Sequence, residues 1–162
     1  MPVLLVRHAA AGSRERWDGD DASRTLDDRG RRQAAGLAEA LAGFDVVQVL
    51  SSPSVRCVET VEPVAAGRGL PVIRDDDLSE GHSRQAVTLA RSLLAPGAST
   101  AGGDGPAVVI CSHGDVIPDV LGVLARDGAS LGGDQPCRKG STWVLWREPA
   151  GGVAGRYVPP PA

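Results

Sequence analysis

Two histidines, two arginines and one glutamate are placed where they could act on a phosphate group. Arg7 and His8 directly follow an apolar run, Arg56 lies near the start of a helical stretch, and Glu80 and His113 each follow a further apolar segment. Arginine offers permanently charged donors to phosphate oxygens, and a histidine with a reference pKa of about 6.5 is available as a neutral nucleophile. A carboxyl group can protonate a leaving oxygen. The set therefore predicts chemistry on a dianionic phosphoryl group.

Apolar runs alternate with amphipathic helical stretches along the chain. Strands are predicted at 3–6, 46–50, 71–73, 107–111 and 141–147, helices at 28–41, 54–66, 83–94 and 115–125, and a Gly-rich surface loop at 98–106. Pro63 predicts a kink or a break in the second helix. The alternation predicts an α/β fold, a doubly wound and mostly parallel sheet with helices on both faces. In such sheets ligands bind beyond the carboxyl ends of the strands, where helix N-termini add N–H groups.

Four segments carry a family resemblance, and together they span nearly the whole chain. They are Leu-Val-Arg-His-Ala at 5–9, Leu-Asp-Asp-Arg-Gly-Arg-Arg-Gln-Ala at 26–34, Ser-Ser-Pro-Ser-Val-Arg-Cys-Val-Glu-Thr at 51–60 and Ser-His-Gly at 112–114. With these segments in this order, the sequence resembles the histidine phosphatase superfamily, also called the phosphoglycerate mutase-like family. The resemblance implies one phosphatase domain over 1–158, followed by a frayed tail at 159–162.

The resemblance also implies roles for the five residues. His8 would become phosphohistidine, and Arg7, Arg56 and His113 would hold the phosphoryl oxygens. Glu80 matches the general-acid position, and no metal or cofactor is implied. A metal site built from His8, His113 and Glu80 is a weaker alternative, because the two flanking arginines would repel a cation. A non-catalytic phosphate-binding or interaction module is the other alternative, against which the retention of both histidines and both arginines argues.

Further features bear on the substrate, which is expected to be a phosphorylated small molecule, nucleotide or protein. The chain is too short for the helical lid of many family members, so it resembles the SixA-type phosphohistidine phosphatases. Segments 116–119 and 138–145 resemble the phosphatase-like domain of some actinobacterial MutT-type proteins. That likeness favours a nucleoside di- or polyphosphate, and Lys139 would then either reach the substrate or lie on the surface. Sugar and glycerate phosphates form a third class. Ala9 stands where the family usually has glycine.

Composition excludes several other kinds of protein. A net charge of -3 without a basic block argues against nucleic acid or an anionic membrane as the main partner. The apolar run at 3–6 is too short for a membrane span or a signal peptide, so a cytoplasmic location is expected. Lys139 is the one lysine among 17 basic residues, so a single arginine is weak evidence for a phosphate site. Arg14, Arg16 and Arg24 are therefore each expected to face solvent, with contact of one of them with the substrate as the alternative. The three cysteines fit neither a metal site nor a disulfide framework.

Overall fold

The computed structural model describes residues 1–97 and 105–162, in which strands and helices alternate. The strands are β1 (Val3–Arg7), β2 (Asp45–Ser51), β3 (Val72–Arg74), β4 (Pro106–Ser112), β5 (Thr142–Arg147) and β6 (Val153–Val158). The helices are α1 (Asp28–Ala40), α2 (Val55–Ala66), α3 (Ser83–Leu93) and α4 (Val116–Arg126). Short 3₁₀ turns lie at Asp21–Ser23 and Asp76–Leu78. The loop predicted at 98–106 lies, up to residue 104, outside the described residues.

The strands form one mixed sheet in the order β3-β2-β4-β1-β5-β6. The first four strands of this order pair in parallel, whereas β5 runs antiparallel to β1 and β6 runs antiparallel to β5. The predicted α/β fold with a mostly parallel sheet is therefore confirmed. Because β1, β2, β3 and β4 point the same way, their carboxyl ends meet at one edge, and the residues that follow them are brought together.

The sheet separates two apolar cores, since successive side chains of a strand point to opposite faces. Val3 and Leu5 of β1 join the core beneath α3 and α4, whereas Leu4 and Val6 join the core beneath α1 and α2. All four side chains are at most 3% exposed. The uninterrupted apolar run at the start of the chain is explained by this two-sided burial.

The edge strand β6 was not predicted from the sequence. It contains Gly155, and glycine weakens a strand signal because it costs backbone entropy and adds no side chain. A Cβ atom at Gly155 would lie 2.7 Å from Leu145 and 2.8 Å from Leu131. Gly155 therefore weakens the strand signal in the sequence and, because it has no side chain, allows β6 to pack closely against β5.

The break predicted at Pro63 does not occur, and α2 continues through it to Ala66. Val61 and Val64 on either side of the proline are fully buried. Packing of this apolar face outweighs the one hydrogen bond that proline removes. Within 1–97 and 105–162, no helix combines the length and apolarity needed to span a bilayer.

The end of the chain lies against α1. A Cβ atom at Gly36 would come within 2.5 Å of the Cβ atom of Pro161. The segment predicted as a tail thus includes a residue in contact with a helix.

Candidate active site

The carboxyl ends of the parallel strands open onto a cleft of about 450 Å³. Four residues singled out in the sequence line it, namely Arg7, His8, Glu80 and Lys139. The other two, Arg56 and His113, are each 1% exposed and contact Glu80. The structure therefore brings all six predicted residues together around one cleft.

One ring nitrogen of His8 has a hydrogen-bond partner, and the other has none among residues 1–97 and 105–162. Its backbone N–H donates to the Ser112 carbonyl at 3.0 Å, which fixes it at the end of β1 beside β4. Its Nδ1 lies 2.9 Å from the Ala9 carbonyl, an acceptor, so Nδ1 carries the proton. Burial lowers the pKa of His8 to about 3, helped by the charges of nearby arginines and opposed by the Ala9 carbonyl. His8 is thus neutral at pH 7, with the Nε2 lone pair available.

The second histidine stands edge-on to the first. The ring centroids of His8 and His113 are 5.5 Å apart, with an angle of 63° between the planes. Nε2 of His113 lies 2.8 Å from the Ser52 hydroxyl, which also accepts a hydrogen bond from the Ser54 amide. Nδ1 of His113 lies 3.5 Å from a Glu80 oxygen, on the cleft side. The two imidazole rings therefore lie in contact, with Nδ1 of His113 next to the Glu80 carboxylate that lines the cleft.

Arg56 is buried in a network of ion pairs. Its Nη2 lies 3.0 Å from Glu80 and 3.2 Å from Asp21, and its Nη1 donates to the Asp21 carbonyl. Arg14 bridges the same two carboxylates, at 2.9 Å from Glu80 and 3.2 Å from Asp21. Arg24 also pairs with Asp21, at 3.0 Å. We call these five residues the ion-pair network. The Nε of Arg56 is buried and has no partner among the described residues.

Arg7 and Lys139 differ from the arginines of the ion-pair network, and we call them the unpaired cations. Among the described residues, neither forms an ion pair with a carboxylate. Arg7 donates from Nη1 to the Cys137 carbonyl at 2.5 Å, and its buried Nε has no partner in residues 1–97 and 105–162. A Cβ atom at Gly114 would lie 2.6 Å from the Arg7 guanidinium, so glycine is needed for this arginine to occupy the cleft.

The loop after His8 is fixed by the start of α1. Asp27 caps this helix by accepting from the Gly30 amide at 2.8 Å, and its other oxygen accepts from the Gly12 amide at 2.9 Å. A Cβ atom at Gly30 would lie 1.9 Å from the Ala10 carbonyl, so only glycine allows this approach. Gln33 accepts from the Ala10 amide at 3.0 Å. The family-like segment at 26–34 therefore acts by holding the loop beside His8.

Three network residues were not assigned to the site from the sequence. Arg14 and Arg24 were expected to face solvent, and Asp21 was not singled out. Arg14 is exposed, as expected, but it also lines the cleft. Arg24 is 6% exposed, donates to the Ala11 carbonyl at 2.7 Å and lines the cleft as well. In an arginine-rich chain with no periodicity in this segment, no sequence signal separates these two from Arg16, which does not line the cleft.

The comparisons with known proteins agree with this geometry. Residues 3–91 match the family described as the histidine phosphatase superfamily (branch 1). The chain belongs to the histidine phosphatase superfamily. Within that superfamily, it is 35% identical over 159 residues to the 8-oxo-(d)GTP phosphatase of Mycolicibacterium smegmatis. The match covers 98% of this chain and 48% of the relative, so the chain spans about half the length of that histidine phosphatase relative.

Solved structures of the histidine phosphatase fold superimpose over most of the chain. A putative phosphohistidine phosphatase SixA from Nakamurella multipartitia gives a TM-score of 0.70 at 23% identity, covering 99% of this chain and 96% of its own. YhfR of Bacillus stearothermophilus gives a TM-score of 0.71 at 18% identity, covering 94% of this chain and 93% of its own. At these identities the likeness shows the fold alone. The family and fold inferred from the sequence are both confirmed.

Proposed function

We propose that the protein is a phosphatase in which His8 receives the phosphoryl group and water then removes it. The observation that carries this proposal is the state of His8. Its Nδ1 is committed to the Ala9 carbonyl, and its Nε2 has no partner among the described residues at the floor of a cationic cleft. A neutral, oriented imidazole needs no further activation to attack phosphorus.

The first step would exchange one bond at phosphorus for another. The His8 Nε2 lone pair forms a P–N bond while the P–O bond to the leaving group breaks. Arg7, Arg56 and His113 would donate to the three non-bridging oxygens, on which the charge of the transition state resides. The Nε atoms of Arg7 and Arg56, which have no acceptor in the part of the chain that the structure describes, would be available as further donors.

The second step would return His8 to its starting state. Water attacks phosphorus, the P–N bond breaks, and the proton lost by water passes to Glu80. The same carboxyl group would have protonated an ester leaving oxygen in the first step. In the structure Glu80 accepts hydrogen bonds from Arg14 and Arg56. A bound phosphoryl group would compete for Arg56 and release Glu80 for this proton transfer.

Of the substrate classes considered, a nucleotide is favoured. The relative named 8-oxo-(d)GTP phosphatase aligns with 98% of this chain at 35% identity. The likeness to SixA structures, at 23% identity or below, supports the fold and not the phosphohistidine substrate. We therefore propose hydrolysis of a nucleoside di- or polyphosphate, with protein phosphohistidine and sugar phosphates as the competing substrates.

The test traps the intermediate. A substrate labelled with ³²P at the transferred phosphate should label the chain, and the label should survive alkali and be released by acid. The His8→Ala variant should neither label nor turn over nucleotides, p-nitrophenyl phosphate, a sugar phosphate or a phosphohistidine protein. His82→Ala is the matched control, because His82 lies outside the cleft at the start of α3. Turnover by His8→Ala would refute the nucleophile. Absence of turnover by the unaltered chain on every substrate would favour the non-catalytic module.

A further inference from the structure

Lys139 is held beside the nucleophile by its neighbours in the chain. The Gly140 amide donates to the carbonyls of both Arg7 and His8 at 3.1 Å. Gly140 has a φ of +81°, a conformation that favours glycine. The Lys139 carbonyl accepts a weak hydrogen bond from Gln33, at 3.4 Å. The backbone of Lys139 is thus tied on both sides to segments that form the site.

The ammonium group of Lys139 lines the cleft, and no carboxylate lies within ion-pair distance of it in the described residues. Desolvation at the cleft lowers the pKa of Lys139, and repulsion by Arg7 and Arg24 lowers it further; the attraction of the more distant Asp27 carboxylate offsets this only in part. A negatively charged group at this position would relieve that repulsion.

Two arginines that line the same cleft as Lys139 keep free donors. Arg24 uses Nε for Asp21 and Nη1 for the Ala11 carbonyl, which leaves Nη2 without a partner among the described residues. Arg14 uses Nε and Nη2 for Asp21 and Glu80, which leaves Nη1 without one. These donors are additional to those that Arg7, Arg56 and His113 present to the transferred phosphoryl group.

We infer that Lys139, Arg24 and Arg14 form a second anion subsite, which binds the phosphate next to the transferred one in a phosphoanhydride. This inference rests on the proposed function and deepens it. The substrate would be cleaved at its terminal P–O–P bond, with the terminal phosphoryl group passing to His8. The remaining phosphate chain leaves as an anion, held by Lys139 as its charge increases.

The state of Glu80 fits this substrate class. An alkoxide is the conjugate base of a group about as weakly acidic as water, with a pKa of about 15.7, so it needs a proton in order to leave. A phosphate leaving group has a second pKa of about 6 and leaves as an anion. A carboxylate already occupied by Arg14 and Arg56 is therefore no obstacle to cleavage of an anhydride.

The test measures binding, so that it does not depend on turnover. Calorimetry on the His8→Ala chain should show tighter binding of pyrophosphate than of orthophosphate. Adding Lys139→Gln should weaken pyrophosphate binding about tenfold, as expected for loss of one charge-assisted contact, and weaken orthophosphate binding by a smaller factor. Methylenediphosphonate, which cannot be hydrolysed, repeats the measurement in the unaltered chain and guards against misfolding of the His8 variant.

Arg138→Gln is the matched control, since this neighbouring cation is exposed and does not line the cleft. It should leave the ratio of pyrophosphate to orthophosphate affinity as it is. Equal weakening of both anions by Lys139→Gln would overturn the inference, as would a preference for 3-phosphoglycerate, whose second anionic group is a carboxylate. Binding of tripolyphosphate and of a nucleoside triphosphate then shows whether inorganic or nucleoside anhydrides are preferred. If the unaltered chain binds pyrophosphate more tightly than orthophosphate but hydrolyses none of the phosphorylated substrates, the proposed function is refuted and the inferred subsite is retained.

Discussion

The ion-pair network and the unpaired cations face the same cleft but differ in charge balance. In the network, three arginines share two carboxylates, and Arg56 is 1% exposed with both Asp21 and Glu80 within 3.2 Å. Arg7 and Lys139 have no carboxylate within ion-pair distance among the described residues. A substrate anion therefore joins a network that is already largely balanced, and brings to the unpaired cations the counter-charge that they lack. The two regions should contribute alike to activity, whereas the ion-pair network should contribute more to stability.

The largest effect is expected from removing one arginine from each region, Arg56 from the ion-pair network and Arg7 from the unpaired cations. Arg7→Gln and Arg56→Gln should each lower kcat/KM for p-nitrophenyl phosphate about a thousandfold, because each removes charge from the transferred phosphoryl group. Arg56→Gln should also lower the free energy of unfolding by about 2 kcal/mol, because the hydrogen bonds of the buried guanidinium to charged groups are lost, while Arg14 and Arg24 still pair with the two carboxylates. Arg7→Gln should stay within about 1 kcal/mol of the unaltered chain, since lost repulsion offsets the lost Cys137 contact.

Urea unfolding and steady-state kinetics on the same preparations provide both readouts. If Arg7→Gln and Arg56→Gln lower the free energy of unfolding equally, the difference in charge balance between the two regions does not affect stability. If Arg7→Gln keeps its activity, Arg7 does not bind the phosphoryl group.

A smaller effect is expected from displacing Arg7 without removing it. In Gly114→Ala the added Cβ atom would lie 2.6 Å from the guanidinium, so the side chain must leave its place. We expect kcat/KM to fall about a hundredfold, as for the loss of one oriented donor. Gly43→Ala is the control, because a Cβ atom there meets nothing within 4 Å and its φ is not positive.

The double variant decides whether Gly114 acts through Arg7. In an Arg7→Gln background, Gly114→Ala should cost little more, since the group that it displaces is already gone. Additive losses would show that Gly114 has a separate role.

The ion-pair network and the unpaired cations also differ in how far their residues could be assigned to the site from the sequence. Residues that directly follow strands, such as His8 and His113, could be placed because parallel strands end at one edge of the sheet. Arg14, Asp21 and Arg24 could not, because the segment between β1 and α1 has no periodicity from which side-chain direction could be inferred. Arg7, the last residue of β1, was accordingly predicted, whereas Lys139 precedes β5 and was suggested by the family resemblance. Three of the five residues of the ion-pair network were found only in the structure.

Among the strands and helices, features with a strong local pattern were predicted from the sequence, and features that depend on tertiary contacts were not. The apolar run of β1 predicts a buried strand and is one. The edge strand β6, with Gly155 against Leu145, depends on a close contact that becomes visible once β5 is in place. Pro63 is a local signal for a break, and the burial of Val61 and Val64 overrides it. Sequence patterns report local preference and periodicity, whereas these outcomes depend on tertiary contacts.

Glu80 provides a test of the network that depends on the leaving group. Glu80→Gln keeps a hydrogen-bond acceptor for Arg14 and Arg56 but cannot give up a carboxyl proton. We expect kcat for an alkyl phosphate to fall about thirtyfold, within the lower range for general acid–base catalysis, and kcat for p-nitrophenyl phosphate to fall much less. Equal losses on both substrates would assign Glu80 to holding Arg56 and not to proton transfer.

The smallest effect expected concerns stability as a function of pH, through His8. Burial lowers the pKa of His8 to about 3, whereas in the unfolded chain the value is about 6.5. As pH falls below about 6.5, the unfolded chain therefore gains a proton that the folded chain does not, and the free energy of unfolding falls until pH approaches the folded value. At pH 5.5 the loss from this one group is about 1.4 kcal/mol relative to pH 7.5. His8→Asn lacks the titrating ring and should be spared this loss. Urea unfolding of the two chains at both pH values measures it, and parallel curves would mean that His8 is not held neutral in the folded protein.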